Sequence, residues 1–204
     1  ALGLDGVASR FPAVDGRSID FDRYPRSAVT EGGIRRARSP PAVVNGVELT
    51  PGALGLILSY HTILKRIAAD DDDQHVYVIA EDDAVLAEDF CQRLDEALGV
   101  LARERPGWDF LHIGYYDDDC TVRSLEGPAG TVFSVPLQIF GLFGAAVRPP
   151  GARSLLRHLF PLDEQIDSAL ARVYDRIDAL ALRSPLMTAT HSTSDNSDIQ
   201  LLPP

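Results

Sequence analysis

The sequence predicts a layered α/β domain with a mostly parallel sheet flanked by helices. Three observations carry that expectation. First, Val76-Tyr77-Val78-Ile79-Ala80 is a continuous apolar run rich in β-branched residues, the pattern of a central strand buried on both faces. Second, apolar side chains recur at helical spacing on either side of it: Leu54, Ile57, Leu58, His61, Leu64 and Ala68 before, and Phe90, Leu94, Leu98 and Leu101 after. Third, Asp109 to Gly114 (DFLHIG) forms a second core-like run. Helix, strand, helix, strand in that order implies crossover connections and parallel pairing. A length of 204 residues suits one domain.

The elements follow in order. Ala1 to Val7 reads as a helix tail and a turn, and Arg10 to Val14 as a short extended piece closed by Asp15-Gly16. Residues 17 to 48 are polar with little periodicity, which predicts a surface excursion, and Pro40-Pro41 blocks a helix there. Thr50 is a good N-cap and Pro51 suits the first helical position, so a helix starts at residue 50 and runs to Ala68. It ends in Asp70 to Asp73, four adjacent carboxylates that belong in solvent. The next helix covers residues 87 to 104, with Glu88 and Asp89 near its start and Arg103 and Arg105 near its end, complementing the helix dipole. Thr131 to Val135 and Leu142 to Val147 read as strands. Pro149-Pro150 opens a helix to about Leu159, and Pro161 opens another to about Leu182. Residues 184 to 204 are polar and irregular.

Composition narrows the function. The net charge is −11, which disfavours general binding to nucleic acid or anionic membrane. No apolar run is long enough to span a bilayer. The two cysteines, Cys91 and Cys120, are too few for a disulfide scaffold or a four-cysteine zinc site. Among 19 basic residues only Lys65 is a lysine. Arginine forks suit diphosphate or carboxylate ligands; a GC-rich coding sequence gives the same bias. There is no phosphate-binding GxxxxGK[ST] loop, no GxSxG elbow and no HExxH pair.

The chemistry-bearing feature is Glu81-Asp82-Asp83, directly after the first strand. Ligands of open α/β sheets bind in the crevice outside the carboxyl ends of strands, and carboxylates there suit magnesium or manganese. The other reading makes these acids the N-cap and first turn of the helix near Ala87. Asp117 to Asp119 follow the second strand and face either the same crevice or solvent. His61 lies on an apolar helix face, where a hydrogen-bonded core histidine is the ordinary role. His191 sits in the polar tail, as a surface residue or a metal ligand.

Beyond these readings, residues 49 to 67 (LTPGALGLILSYHTILKRI) followed by 76 to 86 (VYVIAEDDAVL) resemble glycosyltransferase family 25, the family of lipooligosaccharide and collagen-type galactosyltransferases. Its pattern is a Leu-Thr-x-Gly-Glu start, a Gly-Cys-x-x-Ser-His helix and an apolar strand ending in Glu-Asp-Asp. Phe11 to Gly16, Asp109 to Gly114, Gly144 to Val147 with Gly151-Ala152, Pro161-Leu162-Asp163 and Ser197-Asp198-Ile199 resemble later family elements, so the likeness covers roughly residues 11 to 199. Ala53 and Leu56 stand where the family has Glu and Cys, and Ser59-Tyr60-His61 displaces the histidine by one position. The family also begins with an apolar strand and an arginine-rich turn, and Ala1 falls just after them, so the single domain, residues 1 to 204, is expected to lack its first strand.

The resemblance implies a GT-A type fold and transfer of a sugar, typically galactose, from a UDP-sugar to a glycan or other hydroxyl acceptor, as in lipopolysaccharide biosynthesis. It implies a divalent ion, Mn2+ or Mg2+, held by Asp83 with Glu81 or Asp82 assisting and His191 as a third ligand. Ser59, His61, Glu81 and Asp82 are the expected cofactor-side residues. Asp163 is the first choice for the base that deprotonates the acceptor, with Asp167 in reserve. A bacterial member would work in the cytoplasm, a eukaryotic one in the ER or Golgi lumen. The departures at Ala53, Leu56 and Tyr60 favour an alternative, an inert sugar-nucleotide- or glycan-binding domain on the same fold. A metal-dependent phosphohydrolase fits the carboxylates without a supporting motif.

Overall fold

A computed structural model describes residues 7–40, 48–116, 121–126 and 133–189. In chain order the elements are α1 (Glu31–Arg38), α2 (Pro51–Ala68), β1 (Tyr77–Ala80), β2 (Ala84–Leu86), α3 (Phe90–Glu104), β3 (Phe110–Gly114), β4 (Thr121–Glu126), β5 (Phe133–Gln138), β6 (Gly144–Val147), α4 (Pro149–His158), α5 (Ile166–Ala171), β7 (Ala179–Leu182) and β8 (Met187–Ala189). The α/β class is as expected. The sheet is not mostly parallel: its order is β1-β6-β3-β7-β5-β4, with β8 joining β2 to β3. Among the described strands the parallel pairings are β3 with β7 and with β8, and the other strand pairings are antiparallel; outside the strands, Val29 and Leu162 form an isolated parallel bridge.

The physical reason is the late strand β6. β1 and β3 run in the same direction with α3 between them, as the periodicity predicts. β6 inserts between them and pairs antiparallel with both, Ala145 facing Ile79 on one side and His112 on the other. Its residues, Gly144-Ala145-Ala146-Val147, are all buried. A Cβ on Gly144 would collide with Met187 Sδ of β8, so the absence of a side chain there leaves room for Met187, which, like Gly144, pairs with Gly114 of β3.

Side chains alternate between two layers, as strand geometry requires. Ile79, Phe110, Ala145, Val147 and Ala179 face α2, α4 and α5. Leu111, Ile113, Ala146, Leu180 and Leu182 face α3. β1 was expected in the sheet centre; among the described residues it is an edge strand, with Tyr77 38% and Val78 42% exposed.

Three other expectations change. Residues 17 to 48 contain α1, which Thr30 caps by accepting from Gly33 N at 2.9 Å; the signal was a Thr followed by Glu and an arginine-rich last turn, weakened by Gly32-Gly33. The helix expected from Pro161 to Leu182 is only α5; Ala179 to Leu182 is a strand beside β3, buried along its length. The tetra-aspartate is not simply solvated: Asp70 accepts from Tyr77 Oη at 2.6 Å and meets His75 Nδ1 at 2.7 Å, and Arg153 pairs with Asp73.

α2 begins as expected. Thr50 is fully buried and its Oγ1 accepts from Ala53 N at 3.1 Å. Thr50→Ala is expected to destabilise the domain by about 1–2 kcal/mol, read as a lower urea midpoint at unchanged slope, with Thr50→Ser near wild type.

Candidate functional site

β1 stops at Ala80, and the chain turns at once: Glu81 N donates to Phe143 O at 3.0 Å and Ala84 N to Glu81 O at 3.2 Å. β2 follows and pairs with β8, and α3 starts only at Phe90. Glu81-Asp82-Asp83 therefore forms the β1–β2 turn, which excludes the reading as a helix N-terminus.

The three acids differ. Asp82 points outward, its side chain 85% exposed and 3.5 Å from Arg10. Asp83 is exposed as well, and its charge acts on Glu81. Glu81 turns inward. Burial first, and then the charges of Asp83, Asp167 and Asp82, push its carboxyl up to about 8, because a carboxylate among carboxylates in a low-dielectric setting is costly.

Asp167 approaches from α5. Its Oδ2 accepts from Gly141 N at 3.3 Å and its Oδ1 from Ser168 N at 2.7 Å. Burial raises its pKa against those hydrogen bonds. Residues 140–143, leading into β6, thus touch both residues in different ways: the Gly141 amide donates to the Asp167 carboxylate, and the Phe143 carbonyl accepts from the Glu81 backbone amide. Tyr60 Oη donates to Leu142 O between them at 3.0 Å, and burial followed by the Glu81 charge holds its phenol well above the usual value. Gly141 has φ +78°, and a Cβ there would press on Tyr116 and Phe143, so this bend requires glycine.

Behind Asp167 lies a buried polar pair absent from the sequence reading. His112 Nε2 is 2.8 Å from Tyr174 Oη, and His112 Nδ1 has no partner. Burial lowers the imidazole to about 3 and keeps it neutral. Burial, then the Asp167 charge, raises Tyr174. Within DFLHIG, His112 stood at a core position; nothing in the sequence pointed to Tyr174, 62 residues away.

The remaining candidates lie elsewhere. Asp163 is paired with Arg36 at 2.6 Å, and Arg36 Nε also donates to its carbonyl at 3.1 Å. Ser59 Oγ accepts from Val14 N at 2.9 Å and donates to Gly55 O at 2.8 Å, tying the Ala13-Val14 segment onto α2. His61 packs edge-on against Phe160 with ring centres 5.1 Å apart, a core role. His191, Asp117 to Asp119 and Asp198 fall outside the described residues. Among the described residues no three His, Cys, Asp or Glu side chains form a set that could hold a metal ion. Glu81 and Asp83 are donors of the right chemistry for a hard cation, and among the described residues no third completes a set.

A raised carboxyl has a stability consequence. The folded protein holds the Glu81 proton up to about pH 8 and the unfolded chain releases it near 4.5, so between those values the native state binds more protons and stability falls as pH rises. Glu81→Gln is expected to flatten this decline between pH 5 and pH 8, read from urea midpoints across the range. An equal decline in the variant would contradict the assignment.

No protein-family profile matches the chain. It is similar to the "Probable inactive glycosyltransferase 25 family member 3" of Rattus norvegicus, 24% identical over 197 residues, which covers 90% of this chain and 33% of the relative. The "Inactive glycosyltransferase 25 family member 3" of Mus musculus and the "Probable inactive glycosyltransferase 25 family member 3" of Bos taurus are likewise 24% identical, over 90% of this chain and 32% of theirs. The chain spans about a third of the length of these relatives. No helix among the described residues is long and apolar enough to cross a membrane.

Proposed function

We propose that this chain is a family 25-type glycosyltransferase domain, moving a sugar from a UDP-sugar to a hydroxyl of a glycan acceptor. The observation that carries the reading is the carboxyl cluster at the end of β1, where burial, and then the charges of Asp83, Asp167 and Asp82, raise Glu81 to about 8. Strongly perturbed acids at the carboxyl end of a strand are a functional-site signature. The similarity over 90% of the chain to members of glycosyltransferase family 25 supports a relationship to that family.

In this reading Asp167, not Asp163, is the base. Its pKa is raised towards the working range, where a carboxylate accepts a proton more readily. The Gly141 amide fixes its orientation and leaves carboxylate lone pairs for the acceptor hydroxyl. Asp163 is spent on Arg36. Asp83 and Glu81, joined by His191, would hold the divalent ion, Mn2+ or Mg2+, whose charge would neutralise the diphosphate of the donor.

A second reading, an inert nucleotide-sugar-binding domain, is favoured by the names of the relatives and by the structural employment of Ser59 and His61. One experiment separates them: incubate the protein with UDP-galactose, Mn2+ and a panel of glycan acceptors, measure released UDP, and measure UDP affinity independently. Acceptor-dependent release is expected, and Asp167→Asn is expected to lower it on the order of 10²–10⁴-fold with a cooperative melt retained and UDP affinity unchanged. Binding without turnover supports the inert domain, and the lack of both contradicts each reading.

A further inference from the structure

The segment between Asp167 and Glu81 carries aromatic side chains the carboxyl chemistry does not use. Phe140 is 39% exposed, and Leu137, at the end of β5, is 40% exposed. Single exposed apolar residues are ordinary, but Phe140 immediately precedes the amide that holds Asp167. Tyr116 N donates to Phe140 O at 3.0 Å, which brings the end of β3 to the same place. The Tyr116 ring packs edge-on against Phe143, with centres 4.6 Å apart, and both rings border Gly141. Exposed Phe140, with the Tyr116 ring at Gly141 next to it, thus adjoins the amide that holds the Asp167 carboxylate.

That combination matches one class of ligand. A pyranose ring has a face of C–H bonds, which carry partial positive charge and suit the negative face of an aromatic ring, and an edge of hydroxyl donors, which suit carboxylates. A phosphate beside Phe140 would meet the carboxylate of Asp167, which the Gly141 amide holds there. We propose that Phe140, with Tyr116 beside it, is a stacking platform for a pyranose ring of the glycan acceptor, positioned so that one hydroxyl of that ring reaches Asp167. The inference rests on the transferase reading only for calling the sugar an acceptor; the recognition itself requires no turnover.

The test uses ligand-observed NMR titration with methyl β-D-galactopyranoside, methyl β-D-glucopyranoside and, separately, UDP, on the wild type, Phe140→Ala and Phe140→Tyr. Wild type is expected to bind at least one pyranoside. Phe140→Ala is expected to weaken that binding about tenfold, Phe140→Tyr to retain it, and all three to bind UDP alike and to melt cooperatively above the assay temperature. No pyranoside binding to wild type, unchanged affinity in Phe140→Ala, or a matching loss of UDP affinity overturns the proposal; the last outcome assigns the ring to the donor. Phe140-dependent sugar binding in a protein without turnover upholds the platform and removes the transferase reading, so the two fail separately.

Discussion

The insertion of β6 between β1 and β3 is the constraint on which the site depends. Two strands running in one direction would ordinarily pair with each other. Here a strand of glycine, alanine and valine, small enough to be buried whole, pairs with both. The chain entering it must then cross the carboxyl end of β1. That crossing is residues 140–143, and its backbone binds Glu81 on one side and Asp167 on the other. Tyr60 from α2 and Tyr116 from the end of β3 hold it in place. The two acids come near each other because this segment holds the Glu81 backbone through Phe143 O and the Asp167 carboxylate through Gly141 N.

Much of this was legible from residue patterns. α2, α3 and α4, the strands β1 and β3, and the small-residue strand β6 lie within a few residues of where periodicity and capping put them, because each has a strong local cause: Thr50-Pro51 at a helix start, or an unbroken β-branched run. The long-range pairing was not legible. Strand, helix, strand correctly gives the direction of β1 and β3, but nothing local to Gly144-Ala145-Ala146-Val147 says which strands it separates. The edge position of β1 was misread for a related reason. Val78 has the composition of a core residue, and exposure is decided by its neighbours. α5 and β7 were merged into one helix because Ala, Leu and Ile satisfy both periods when buried.

The site was half legible. A run of acids after an apolar strand points to Glu81 directly, and the turn geometry confirms that it leaves the sheet there. The choice among acids required tertiary contacts. Asp163 and Asp167 are four residues apart, yet one pairs with Arg36 of α1 and the other reaches the β5–β6 connection. Ser59 and His61 show the reverse, a motif-like pair employed in tying Val14 to α2 and in packing on Phe160. His112 and Tyr174 form a neutral buried pair behind Asp167, and their meeting is a product of β3 and the segment after α5 being neighbours.

The central claim is that Glu81 is held protonated by burial and by the charge of its neighbours, Asp167 among them. The most direct measurement is the pH titration of the Glu81 side-chain carboxyl by carbon-13 NMR, assigned with Glu81→Gln and repeated in Asp167→Asn. The account predicts a midpoint near 8 in the wild type and a lower midpoint once the Asp167 charge is removed. A wild-type midpoint near 4.5, the ordinary glutamate value, unmoved by Asp167→Asn, would contradict it.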